Sequence, residues 1–403
     1  MKRLTVGDGG YKAGYLILIR AGTITGKPSN AKYYSYTETS GQTPVWIWYD
    51  NLGREIRRDS YGLNKKKIMT DTEYNPKGQV YRVSDPYFEN TSKTYAATYL
   101  YDIFGRDSTV ATPMGTTGYI YSGLTVTINS PTDTTKTTAN NAGWTIEEVT
   151  NGKKVSFTYY ASGLVKTATP MAGKALSMEY DLQGNRTKLT DPDAGVITSK
   201  YDGWGQLQRE AQKIHITGDS IVTTYNYLAS GLPSSKIRNG ETTNYGYDNL
   251  YRQKWVSIAG KHSQGFAYDN YDRIIQVIDT VDGSKVYIHR TEFDILGNVY
   301  REIYPGDYYV TNQYDTYGYL TGIADKNGNS LWKAVENNAK GQLTKYSQGG
   351  NTTTVGFDTK GFPTSILCPN IINMGYSFNA KGNLDSELQT RNKLRCRDFV
   401  AYS

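Results

Sequence analysis

One short unit returns along this chain about sixteen times: an aromatic, usually Asp or Asn next, and Gly four positions after the aromatic. Its first positions are Tyr49, Tyr74, Tyr101, Tyr119, Ala139, Tyr159, Tyr180, Tyr201, Tyr227, Tyr247, Tyr268, Phe293, Tyr314, Asn337, Phe357 and Phe378. The steps from 49 to 378 average about 22 residues, within the range that marks repeat architectures. Fourteen copies begin with an aromatic, thirteen have Asp or Asn second, and fourteen have Gly fifth, the exceptions being Tyr251 and Asp272. The copies at Tyr119, Ala139 and Asn337 are accepted on register more than on residues. A chain of 403 residues would ordinarily be divided into two or three domains. A repeat this regular predicts one unit laid beside the next instead.

Each part of the unit has a physical job. The Asp or Asn side chain can bond backbone two residues on and start a turn. The Gly supplies the positive φ that closes a short hairpin loop. A second aromatic often lies two residues before the first, as in Tyr99 and Tyr101 or Phe266 and Tyr268, which puts both on one face of a strand. Apolar residues after the Gly, such as Leu207, Val299 and Leu320, read as the outgoing strand. The turn positions singled out are Tyr49, Asp50 and Gly53; Tyr101, Asp102 and Gly105; Tyr180, Asp181 and Gly184; Tyr201, Asp202 and Gly205; and Tyr314, Asp315 and Gly318. Links with proline between units, Asp85-Pro86, Thr112-Pro113, Thr169-Pro170 and Asp191-Pro192, mark the return turns. Trp332–Ala339 is the one stretch that tempts a helical reading, and it is short. The fold class expected is all-β, with residues 1–44 an irregular N-terminal β segment open to reading as a degenerate repeat, and 45–403 the array.

Composition fits this reading. The chain has 37 Tyr against 9 Phe, 41 Gly, and 37% hydrophobic residues, below the roughly 45–50% of ordinary domains. Aliphatic side chains are too sparse for one thick core, and tyrosine offers an apolar ring with a hydroxyl that can stay wet. The net charge of +7 is mild and spread out. Its densest stretch, Arg54, Arg57, Arg58, Lys65, Lys66 and Lys67, is read as a solvated hairpin face or a lysine-protected edge rather than a nucleic-acid footprint. Cys368 and Cys396 read as two free, structurally minor thiols. The N-terminus does not open a signal peptide, and no apolar run reaches the roughly 18 residues of a membrane span.

A search for chemistry finds little. His215, His262 and His289 are far apart and stand in no metal-ligand spacing. There is no Gly-x-Ser-x-Gly elbow, and Gly7-Asp8-Gly9-Gly10 lacks the spacing and the Lys-Ser or Lys-Thr pair of a phosphate loop. Most aspartates sit at the second position of the unit, where turn-making explains them better than a glycosidase pair does. Trp46, Trp48, Trp144, Trp204, Trp255 and Trp332 could stack on sugars or bases, or could pack between hairpins. No catalytic, cofactor-binding or metal residue is assigned, and no cofactor is expected.

Tyr-Asp-x-x-Gly-Arg, as at Tyr49–Arg54 and Tyr101–Arg106, returning about every twenty residues, resembles the YD-repeat or Rhs-repeat proteins of bacteria. The same repeat occurs in the B and C subunits of insecticidal toxin complexes and in teneurins. The resemblance covers roughly residues 45–403. It implies hairpins joined edge to edge into one long antiparallel strip that spirals into a hollow or partial shell, which in the toxin members holds a C-terminal toxin. It implies a non-catalytic scaffold, secreted or at the cell surface in full-length relatives. Its partner is an encapsulated toxin polypeptide or the rest of a larger Rhs protein. A second reading is an extracellular binding module for a cell-surface glycan or a protein; no nucleic-acid partner is expected. The longer core segment, autoproteolytic aspartate site and toxin of fuller members have no counterpart here. Phe399–Ser403 reads as the start of a repeat left incomplete, as in a truncated array.

Overall fold

The computed structural model describes residues 19–20, 26–214 and 218–390. His215, Cys396, most of the 1–44 segment and the expected unfinished repeat at Phe399–Ser403 lie outside the described residues. There are 35 strands among the described residues, all in one antiparallel sheet. Among the described residues there is no α-helix, only a single 3-10 turn at Leu63–Lys65. The stretch that tempted a helical reading lies in a strand, Ser330–Asn337, followed by a turn.

Nearly every strand pairs with the next in sequence. Tyr, Thr and Val dominate them, residues that suit a pleated, half-buried surface. The one fork is at Lys67–Tyr74. Its first half takes the short strand Tyr87–Phe88, and its second half takes Val80–Ser84, which then pairs with Tyr95–Tyr101. Each hairpin tip is preceded by a register shift. At the first unit Trp48 faces Arg57 but Tyr49 faces Glu55, so one residue of the outgoing strand is skipped. The same bulge stands just before the first position of every other unit but one. Bulges sharpen local twist and bend, so a bulge repeated at one edge curves the whole strip the same way.

The exception is Tyr119, where the register reading fails. There Ser122 faces Thr125 across a two-residue turn with no bulge. Gly123 matched the pattern because it closes this shorter hairpin, and Tyr121, two residues later, takes the aromatic's place. Ala139 and Asn337 do hold the first position.

The curvature brings the strip back onto itself. The side-chain amide of Asn64 donates from Nδ2 to Val335 O at 2.8 Å, across 271 residues. Tyr319 OH donates to Tyr61 O at 2.8 Å, across 258 residues. Lys381 Nζ donates to Asp133 at 2.8 Å, across 248 residues, and Lys340 pairs with Asp85 at 2.8 Å. The strip therefore completes one turn in about twelve repeats and begins a second, forming a partial shell. Burial follows this overlap. The small cluster of Ala31, Trp48 and Ile56, with Tyr34, Trp46 and Tyr74 against it, belongs to the first coil.

Candidate functional site

Two constellations stand out: the repeated turn, and the seam where the second coil meets the first. At the turn one oxygen of the second-position carboxylate does most of the work. Asp50 Oδ1 accepts from the N–H of Leu52 at 2.8 Å and of Arg54 at 3.0 Å. Asp102 takes Phe104 and Arg106, Asp181 takes Gln183 and Asn185, Asp202 takes Trp204 and Gln206, and Asp315 takes Tyr317 and Tyr319, all at 2.8–3.0 Å. The fifth residue then turns into the left-handed region, with φ of 76° at Gly53, 81° at Gly105, 88° at Gly184, 80° at Gly205 and 79° at Gly318. Tyr251 and Asp272 take the same conformation without being glycine, at φ of 63° and 62°. The second carboxylate oxygen binds the sixth residue, where Arg54, Arg106, Arg252 and Arg273 pair with Asp50, Asp102, Asp248 and Asp269 at 2.6–2.7 Å.

Those arginines reach further. Arg54 lies over the ring of Tyr74 at 4.4 Å, Arg106 over Tyr121 at 4.0 Å, Arg252 over Tyr268 at 4.5 Å and Arg273 over Phe293 at 4.1 Å. Each ring belongs to the next unit. The tyrosine hydroxyls complete the weld. Tyr74 OH donates to Glu55 O, Tyr101 to Val80 O, Tyr121 to Asp107 O, Tyr159 to Thr145 O, Tyr201 to Arg186 O, Tyr227 to Leu207 O, Tyr247 to Pro233 O, Tyr268 to Gln253 O and Tyr314 to Val299 O. Every acceptor is the carbonyl just after the previous unit's sixth residue. The hydroxyl expected to stay wet is thus spent on a backbone acceptor, the carbonyl of the residue registered with the previous unit's first position. Tyr180 departs from the pattern, donating to Met178 Sδ at 3.6 Å with its ring against Tyr160. Tyr49 shares a hydrogen bond with Ser35 at 3.3 Å.

The electrostatics are those of charge held in place. Partial desolvation pulls the carboxyls of Asp50, Asp102, Asp248 and Asp269 upward. The arginine and turn N–H bonds outweigh it and hold all four below the ordinary carboxylate range. Such groups stay ionised and have no proton to give near neutrality. The basic stretch 54–67 is only in part the solvated face expected of it: Arg58, Lys65 and Lys66 are exposed. Arg57 pairs with buried Asp71 at 2.6 Å and Lys67 with buried Asp59 at 3.2 Å, while Lys65 lies over Tyr317 and Lys66 over Phe88. Sequence spacing could not reveal these partners because they sit on other strands or on the other coil. Asp71 also accepts from Tyr87 and Lys93, filling the fork with charge. Burial, then that bond to Asp71, pushes the Tyr87 hydroxyl up to about 12.

Among the described residues no group of three or more His, Cys, Asp or Glu side chains is placed to hold a metal ion. His262 lies 3.4 Å from Asp279, and His289 stacks on Tyr304. Of the tryptophans, Trp48 is buried and donates to Asp59, Trp46 packs on Tyr36, and Trp144 packs on Tyr159. Trp204 is 92% exposed at a turn tip. No helix of the described residues is long and apolar enough to cross a membrane. Cys368 is buried.

The seam joins opposite edges of the strip. Turn tips of the second coil, at Leu296, Tyr317, Lys340 and Lys381, rest on return loops of the first, at Gly41, Tyr61, Asp85 and Asp133. A cavity of about 550 Å³ lies in it, lined by Thr39, Gly41, Thr43, Leu296, Tyr317 and Tyr319 among others. A further turn of the repeat type, at Asp325–Asn329, lies on the return edge, with Asp325 Oδ1 accepting from Asn327 and Asn329 N–H. Its residues match the pattern with Ala324 first, a signal lost because it falls between two stronger copies.

Comparison with known proteins places these features. A family profile, RHS Repeat, matches residues 159–196. A tRNA(Glu)-specific nuclease, WapA of Bacillus subtilis subsp. natto (strain BEST195), is 26% identical over 132 residues, which is 33% of this chain and 6% of that protein. Crystal structures of TcdB2-TccC3-Cdc42 and of TcdB2-TccC3 share the fold over 91% of this chain, with a TM-score of 0.74 and 15% identity. The chain spans 23% and 24% of those two.

Proposed function

We propose, given that this chain is an Rhs/YD-repeat protein, that it is a non-catalytic wall segment whose curved sheet encloses or presents a toxin polypeptide. The observation that carries this is the seam: a single sheet returns to meet its own edge, so it bounds a space instead of filling one. From the strand Glu55–Tyr61 round to Leu320–Asp325 the strip crosses about 24 strand spacings, or about 115 Å at 4.8 Å each. A circle of that perimeter is about 37 Å across, and side chains on the inner face leave a lumen of roughly 25 Å. That width admits an extended or unfolded polypeptide.

The carboxylates support a scaffold over an enzyme. The four most fully bonded ones are committed to turn N–H groups and arginines, one per hairpin, so even the neighbouring pair, Asp248 and Asp269, stand about 10 Å apart along the rim. The relative named as a nuclease matches only a small part of its own length, and its activity is not carried over here.

The test is a reporter polypeptide fused after Ser403 and challenged with protease. Enclosure predicts that the wild-type fusion resists digestion and that variants opening the seam, such as Lys340→Glu with Lys381→Glu, expose it. A reporter cut as fast in the wild type as when free would overturn the enclosing role. Scattering gives an independent check: a wall around a lumen has a radius of gyration above the ~21 Å of a compact chain of this length.

A further inference from the structure

The seam within one chain has two faces, and both occur again uncovered among the described residues. The donor face is the fourth residue of each turn. At four turns of the second coil that position is engaged: Leu296 abuts Gly41, the Tyr317 ring lies 5.7 Å from Tyr61, and Lys340 and Lys381 are ion-paired. In the first coil the same position carries Leu52 at 70% exposure, Phe104 at 75%, Trp204 at 92%, Leu250 at 67% and Tyr271 at 70%. Large apolar side chains in that state recur along one rim, with small or polar residues such as Ala142, Lys77 and Gln183 at the turns between, and mark contact points more than a uniformly solvated edge.

The acceptor face is the glycine-bearing return loop. A Cβ at Gly318 would stand 2.2 Å from Gly41 O, so at the seam tip and loop meet backbone to backbone. At the return-loop glycines Gly152, Gly240 and Gly260 a Cβ would meet nothing within 4 Å among the described residues, and the same holds at the tip glycine Gly53. Ile371, on a later return loop, is 48% exposed. The strip has a fixed curvature and both free rims continue the edges that already fit each other. A second copy can therefore seat its tips where the first copy's second coil leaves off.

We propose that this chain self-associates head to tail, the free tip rim of one copy stacking on the free return-loop rim of a second copy. The contact is heterologous, donor to acceptor, so it does not close as a two-fold dimer and extends to longer stacks.

Sedimentation velocity of the full chain tests this. The expected result is a sedimentation coefficient that climbs with concentration from nanomolar to high micromolar protein. A donor-defective variant, Phe104→Asp with Trp204→Asp and Tyr271→Asp, and an acceptor-defective variant, Ala259→Asp with Ile371→Asp, should each weaken association by on the order of tenfold or more. All five side chains are exposed, and an unchanged thermal melt for each variant confirms that it folds. The two variants mixed one to one should form a dimer that grows no further, since only one functional donor–acceptor pair remains. A wild-type chain that is monomeric throughout overturns the proposal. So does association that the variants leave untouched, or a mixture that fails to rescue, which would indicate a like-to-like contact. Capture by lipid vesicles or by a glycan array through the same tips, with the chain staying monomeric, overturns it as well.

Discussion

A tyrosine hydroxyl here does work that a phenylalanine cannot, because it ties each hairpin to the backbone of the hairpin before it. Tyr227 OH to Leu207 O, at 2.8 Å, is one such weld. Tyr227→Phe should lower unfolding stability by about 1 kcal/mol by leaving a half-buried carbonyl unpaired, measured by urea titration; no change would mean that water replaces the hydroxyl. The opposite sign is expected at the fifth turn position. Tyr251 sits at a φ of 63° with its side chain largely exposed, and the left-handed region costs a non-glycine residue roughly 1–2 kcal/mol. Tyr251→Gly should raise the melting temperature, and a fall would show that the ring has a packing role. The turn was legible in the residues: an Asp two before its N–H donor and a Gly at the fifth place are local chemistry. The weld was not, since its acceptor lies in another unit, about twenty residues earlier in the case of Tyr227 and Leu207. The surplus of Tyr over Phe was the trace of it.

Between neighbouring strands the ladder is uneven, and stability should be too. Gly195–Tyr201 and Leu207–Ile214 are registered at seven positions, while Val165–Pro170 and Leu176–Tyr180 share only Thr167 with Ser177 and Ala168 with Leu176. In an array held by nearest-neighbour contacts the weakest joint opens first. Amides flanking Met171–Ala175 should therefore exchange faster than those of Gly195–Ile214 by deuterium-exchange mass spectrometry; equal rates would point to a single cooperative unit. At the fork, burial raises the Asp71 carboxyl, but bonds from Arg57, Tyr87 and Lys93 outweigh it and hold it below its ordinary 3.8. Its folded value is depressed, so its contribution is whole above that ordinary value and is lost as pH falls through the lower folded one. The melting temperature should drop on acidification below about pH 4, and Asp71→Asn should be less stable at neutrality with a flatter acid limb. The fork itself escaped the sequence reading. Tyr87–Phe88 is two residues long and carries no alternation, and Asp85-Pro86 reads as an ordinary return link.

On the scale of the whole molecule the closure of the strip has a local reporter. Lys381, across the seam, is the first cause of an Asp133 carboxyl lowered to about 2. Lys381→Ala should return it toward 3.8, followed by carboxyl NMR titration; an unmoved Asp133 would mean that the coils do not touch there in solution. That a strip forms was legible from the period, and its family resemblance carried the shell. Which loop meets which tip was not legible, because Tyr61 and Tyr319 are 258 residues apart and share no pattern. That separation has its own consequence. The seam works like a vernier in which each tip is matched to a loop one circumference earlier. Gaining or losing a single hairpin unit between Asp85 and Lys340 would leave every local turn intact, yet slide all later tips one notch along the loops beneath. Copy number within a circuit is therefore constrained by geometry even where each individual unit is free to vary.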